Sequence, residues 1–173
     1  MILGLDISTS IVGATILDEQ NNILYCEAWD LRKVKNFFEK GLSIKNKLTD
    51  VKKQHAITKI AIEKPFVVFR SMRGSSGATM AKLQSFNGAV SWMCYDIFGL
   101  EAEYISPQAA RKLCNIKISR GQKSKEVVLN FVLDNVDGFG VQYTKHGNPV
   151  QGSFDRADSY VIARATLIQC QQN

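Results

Sequence analysis

Apolar residues in this chain follow two rhythms: short runs with the length and make-up of strands, and longer runs with a helical repeat. Residues 2–7 read as a strand and Ile11 to Leu17 as a second. A tight turn at Asn21-Asn22 leads into a third, Ile23 to Trp29. Strands joined this closely can only form an antiparallel meander. From Arg32 to about Gln54 the pattern is helical, with Val34, Phe37, Phe38, Leu42, Ile44, Leu48 and Val51 in an imperfect stripe that Gly41 interrupts. Lys59 to Lys64 reads as a buried strand stopped by Pro65. The polar, Gly- and Ser-rich stretch Ser71 to Gly77 precedes a long helix from about Ala78 to Phe98. Glu101 to Ile105 is a short strand, and Ser106-Pro107 cap and open the next helix. Another helix runs from about Lys123 to Leu133. Residues 137–153, with four glycines, form an irregular excursion, and the last helix runs from Phe154 towards Ile168.

This order predicts an α/β fold: a mixed five-stranded sheet, three antiparallel strands followed by two parallel ones, flanked by helices. It excludes a TIM barrel, and no Gly-x-Gly-x-x-Gly follows the first strand as a dinucleotide fold requires. A chain of 173 residues is enough for one domain, 1–173, with a substantial core. No apolar run approaches the roughly 20 residues of a membrane helix. The start, Met1 to Asp6, carries no basic leader, so a cytoplasmic location is expected.

Composition changes this picture in two ways. Cys26, Cys94, Cys114 and Cys170 are scattered without a Cys-x-x-Cys pair, which points to free thiols and away from zinc. The net charge of +6 points to an acidic partner, nucleic acid first among them. The basic residues crowd Arg32 to Lys53 and again Arg111 to Lys125, the second stretch holding no acid before Glu126.

Four acids stand out against this basic background. Asp6 ends the apolar run Ile2-Leu3-Gly4-Leu5, and Glu63 follows Ile60-Ala61-Ile62 in the same way. Alone, Asp6 reads as a turn-capping aspartate and Glu63 as half of a surface salt bridge. Asp155 and Asp158, three residues apart at the start of the last helix, share one helix face. Helix-dipole capping accounts for either, but the apolar residues that follow (Tyr160-Val161-Ile162-Ala163) place the pair against packed structure. Four carboxylates can hold two hard divalent cations, whose chemistry includes phosphodiester cleavage.

The segments Gly4 to Ser10 (GLDISTS), Ala61 to Phe66 (AIEKPF) and Phe154 to Ala165 (FDRADSYVIARA) resemble, in order and spacing, the three acidic motifs of the RuvC family of Holliday-junction resolvases. The resemblance implies a ribonuclease H-like fold and a homodimer. It implies a magnesium-dependent endonuclease for branched DNA, in a bacterial or phage-infected cell, with Mn²⁺ as a substitute cation. It assigns Asp6, Glu63, Asp155 and Asp158 to catalysis and metal binding. It also implies that Phe66 stacks on bases at the branch point, and that Lys112 and Lys123 lie near the cleaved strand. Arg111, Lys117, Arg120 and Lys125 are further candidates for phosphate contact, and Arg70 and Arg73 for a DNA-facing loop. The helix from Ala78 to Phe98 corresponds to one that builds the family's dimer interface. The chain departs from the family's usual Gly-x-Asp-Pro-Gly start, having Ile7-Ser8 after Asp6. That leaves strict four-way-junction specificity open beside a broader flap, fork or RNA–DNA hybrid nuclease, or a non-catalytic binder of branched DNA. An actin-like or sugar-kinase fold shares the Gly-x-Asp start but needs a far longer chain.

Overall fold

A computed structural model describes residues 1–65 and 77–172. Three strands, β1 (Ile2–Ile7), β2 (Ile11–Leu17) and β3 (Ile23–Asp30), form the antiparallel meander. The first helix, α1 (Phe37–Gln54), leads to β4 (Lys59–Glu63), which pairs parallel with β1. After α2 (Gly77–Phe98), the short β5 (Glu103–Ile105) pairs parallel with β4, so the sheet order is β3-β2-β1-β4-β5. The chain ends in α3 (Pro107–Leu113), α4 (Ser124–Asn135) and α5 (Gly152–Gln172). The expected mixed five-stranded sheet is therefore present.

Some boundaries move for identifiable reasons. The helical pattern from Arg32 begins in fact at Phe37, because the Asn36 side chain accepts from the backbone N–H groups of Phe38 and Glu39 and so caps the helix there. Val34 is left in a turn, its N–H on the Leu31 carbonyl. Gly41 does not break α1. It lies close to Met93 of α2, where a side chain would crowd the methionine methyl. Ser106 caps α3 through its hydroxyl, with Pro107 in the first turn, as expected. The excursion before α5 folds back on itself through a bridge between Tyr143 and Pro149.

Alternation along the strands divides the interior into two cores. Leu3, Leu5 and Ile7 of β1 pack with Val12, Ala14 and Ile16 of β2, Ile60 and Ile62 of β4, and buried residues of α1 and α2. Ile2, Leu17 and Ala61 face the other side, where α3, α4 and α5 pack. On that second side β1 and β2 each carry a glycine. A Cβ on Gly4 would lie 2.5 Å from the Ser159 carbonyl oxygen, and one on Gly13 would overlap the Asp155 carbonyl. The backbone of α5 thus rests directly on the backbone of the sheet. A buried hydroxyl pair, Thr15 Oγ1 to Ser159 Oγ at 2.8 Å, fixes the register between β2 and α5.

Gly13→Ala is accordingly expected to cost about 3 kcal/mol or more, at the severe end of overpacking. Gly88→Ala, in open space on α2, is expected to be neutral or to stabilise by about 0.5–1 kcal/mol. Urea unfolding of both variants checks the contrast. Equal stabilities would mean that α5 does not sit on the sheet as described.

Candidate functional site

The same alternation that sorts the cores places the acids. Gly4 and Asp6 share a face of β1, as Ala61 and Glu63 share a face of β4, and both faces are turned towards α5. The parallel register pairs Gly4 with Ala61 and Leu5 with Ile62, so one residue further it sets Asp6 beside Glu63. Glu63 also ends the β4–β5 pairing opposite Ile105, and the Lys64 N–H donates to the Ile105 carbonyl at 2.8 Å. Pro65 follows, so the strand stops at the acid. From above, α5 brings Asp155 at the point where its backbone meets Gly13, and Asp158 one turn on. Gly13 is itself the register partner of Asp6.

The electrostatics show that the four acids share one environment. Asp155 is buried, and Asp6, Glu63 and Asp158 are partly buried. Burial, together with the negative charges of Glu63, Asp158 and Asp155, holds the Asp6 carboxyl well above the usual carboxylate range. Burial and the charges of Asp158 and Asp155 push Glu63 up to about 7 from an ordinary value of 4.5. Asp158 rises to about 6, through burial and the Asp155 charge. Asp155 is also raised, chiefly by burial.

Two cations oppose this. Lys125, in the first turn of α4, places its Nζ 3.4 Å from Asp155 Oδ1 and 3.7 Å from Asp158 Oδ2. Burial works against the Lys125 charge, but Asp155, Asp158 and Asp6 outweigh it and raise its pKa. Arg111 lowers both Glu63 and Asp158 through its charge. These two do not restore ordinary carboxylate behaviour.

Of the remaining sequence candidates that are described, Arg111 is the one whose charge is felt by the acids. Arg111, Lys112 and Lys117 line a concavity of about 370 Å³ together with Gln108, Asn115 and Ile116. Arg120 is exposed, and Lys123, just before α4, is exposed and paired at 2.9 Å with Glu126 of that helix. Phe66, Arg70, Arg73 and the stretch 71–76 lie outside the described residues. A larger cleft of about 510 Å³, walled by Cys26, Ala28, Gln142, Val150 and Arg156, has none of the four acids in its lining.

Two features escape a reading of sequence alone. Lys125 stands over the acids because α4 packs on α5, and nothing in the local sequence distinguishes it from its basic neighbours. Lys40 is buried and donates to the Thr9 carbonyl, bracing the β1–β2 turn just beyond Asp6. In the same turn the Ser8 hydroxyl donates to the Ile11 carbonyl and accepts from the Ile11 N–H, which gives the Ile7-Ser8 start its own closure.

Whether the site fits a divalent cation turns on its donors and its charge. Among the described residues, no three His, Cys, Asp or Glu side chains stand assembled around one point as a finished cation site. The donor set is nonetheless all carboxylate oxygen, the chemistry that hard cations select. The acids raise one another's values, a repulsion that Lys125 and Arg111 oppose only in part and that a bound cation would relieve. In donor type and charge the residues fit Mg²⁺ or Mn²⁺.

A five-stranded mixed sheet in this order, flanked by helices on both faces, is the ribonuclease H-like fold. In structure the chain is similar to Thermus thermophilus RuvC in complex with a Holliday junction substrate, with a TM-score of 0.69 and 14% identity over 99% of this chain and 95% of that one. It is similar to a second Thermus thermophilus RuvC structure (TM-score 0.65, 14% identity, 99% and 95% covered). It is also similar to the yeast mitochondrial Holliday junction resolvase (TM-score 0.65, 13% identity, 99% and 79% covered). No protein-family model matches the chain, and no curated protein matches it in sequence. At these identities the likeness is one of fold.

The raised carboxylates have a consequence for stability. A group whose pKa is higher in the folded than in the unfolded chain stabilises the fold fully below its unfolded value, and that contribution is lost as pH rises through the folded value. With Asp158 at about 6 and Glu63 at about 7, metal-free protein is expected to lose stability from about pH 4 to pH 7. Glu63→Gln is expected to be more stable than the parent at pH 8, by on the order of 2 kcal/mol, with no advantage at pH 4. Melting curves in EDTA across this range check it. A Glu63→Gln variant less stable at pH 8 would show that the acids do not repel one another as described.

Proposed function

We propose that this protein is a structure-selective endodeoxyribonuclease that resolves Holliday junctions by metal-assisted phosphodiester hydrolysis, in DNA recombination, repair or phage DNA processing. The observation that carries this reading is the meeting of Asp6, Glu63, Asp155 and Asp158, from three separated segments, at one end of the sheet. Supporting it are a fold shared with a RuvC solved with a Holliday junction substrate, the charges of Arg111 and Lys125 acting on the acids, and the basic concavity that Arg111 lines with Lys112 and Lys117.

In this reading the four carboxylates hold Mg²⁺, with Mn²⁺ as a substitute. Two such ions, when bound, activate a water and stabilise the leaving oxygen of an in-line displacement. The protein's own part is to fix the carboxylates on rigid elements, two on neighbouring strands and two on one helix. Lys112 and Lys123 lie near the cleaved strand, and Arg111, Lys117, Arg120 and Lys125 contact other phosphates. Phe66, three residues past Glu63, stacks at the branch point, offsetting part of the cost of unpairing.

A four-way junction has near two-fold symmetry, so a C2 dimer presents equivalent sites to opposite strands. The solvent-facing side of α1 and α2 suits that contact. Phe38 is 81% exposed and Trp92 61%, beside the exposed Leu42 and Tyr95. Phe37, Phe86 and Met93 help to line an apolar hollow of about 290 Å³ between the two helices. Exposed aromatic surface of this extent is characteristic of interfaces.

Two experiments test the proposal. Purified protein is incubated with labelled four-way, three-way and linear duplex DNA in Mg²⁺ or EDTA, beside Asp6→Asn. Symmetric nicks in the four-way junction alone are expected, abolished by EDTA and reduced at least 10³-fold by the substitution, a loss of about 4 kcal/mol of barrier lowering. Equal cutting of three-way DNA would make it a general branched-DNA nuclease. Tight junction binding without cutting would overturn the catalytic claim. For the dimer, Phe38→Asp with Trp92→Asp is expected to give a monomer by light scattering with an unchanged melting temperature. A parent protein that is itself monomeric would exclude this interface.

A further inference from the structure

Lys125 occupies a position that phosphate binding alone does not explain. Among the described residues it makes the only ion pairs with any of the four acids, reaching Asp155 at 3.4 Å and Asp158 at 3.7 Å. Its neighbour Lys123 instead pairs locally with Glu126. Both Lys125 distances exceed the 2.7–2.9 Å of a well-formed charge-assisted hydrogen bond. The ammonium therefore sits between two carboxylates without being locked to either. Its side chain remains 59% exposed, so it can swing outward without disturbing the core of α4 and α5.

We propose that Lys125 is a resident counter-ion of the acidic site, neutralising the carboxylates until a divalent cation does so and then released to pair with a backbone phosphate. The inference rests on the metal-binding reading above. Four clustered carboxylates without a cation repel one another in a partly dehydrated site, and one ammonium relieves part of that repulsion. It supplies one positive charge where the site calls for more, and a divalent cation supplies two. The exchange is therefore favourable once the cation is available, and the ammonium becomes free for a phosphate on the same side of the acids that Arg111 acts on. Cation and DNA binding are thereby linked: each favours the arrangement in which Lys125 faces outward.

The test is Mn²⁺ binding to the metal-free protein without DNA, measured by calorimetry and by the electron paramagnetic resonance of free Mn²⁺. Lys125→Met and, as a second neutral variant, Lys125→Gln are expected to bind Mn²⁺ roughly tenfold more tightly than the parent, through loss of a competing positive charge. Lys125→Arg is expected to stay near the parent value. The neutral variants are also expected to bind junction DNA with a salt dependence shallower by about one phosphate contact. Unchanged or weaker Mn²⁺ binding in both neutral variants, with the parent binding normally, would overturn the counter-ion role and leave the metal site standing. A parent that binds no Mn²⁺ would overturn both.

Discussion

The structure depends on one close approach: α5 lying with its backbone against the backbone of β1 and β2. Gly4 and Gly13 permit it, since a Cβ at either position would run into the helix itself. The Thr15–Ser159 hydroxyl pair then fixes where along the sheet the helix sits. Half of the acidic site is carried by this helix and half by the strands beneath it. The spacing of the glycines therefore sets the spacing of the carboxylates. Helix packing through side chains of ordinary size would hold Asp155 and Asp158 further from Asp6, and the four would not share one electrostatic environment.

That environment has a stability cost. Burial and mutual repulsion raise Asp6, Glu63 and Asp158 together, with Lys125 and Arg111 as partial counterweights. A fold under selection for stability alone would place amides or aliphatic residues there. Four acids held at this cost in a chain of overall positive charge make the cluster a candidate functional site, sustained by the rest of the core. The two faces of the sheet divide these tasks. The α1–α2 side is a closely apolar core with an aromatic exterior, and the α5 side carries the polar registration and the charge.

Much of this was legible in the sequence. The meander follows from three short apolar runs with tight turns, and the end of β4 at Glu63 follows from the proline two residues on, whereas β1 continues one residue past Asp6. The Asp155–Asp158 pair follows from helical spacing. What sequence leaves undetermined is set by contacts between distant segments. The start of α1 moved because a local cap at Asn36 outcompeted a helical pattern that ran back to Arg32. Gly4 and Gly13 look like ordinary strand glycines until α5 is placed over them. Lys125 belongs to a run of basic residues all suited to DNA, and only the packing of α4 on α5 separates it from the others.

Three of the four acids are also far apart along the chain, at residue 6 and at residues 155 and 158. During synthesis the amino-terminal strands emerge first, at about 5–20 residues per second, and the meander and α1 can form while α5 is still inside the ribosome. The site has only one of its four carboxylates until β4 emerges, and no more than two until the last helix docks. A partly made chain therefore carries only part of the acidic cluster, however much of the sheet has already formed. The cluster comes together only at the moment α5 docks on the sheet.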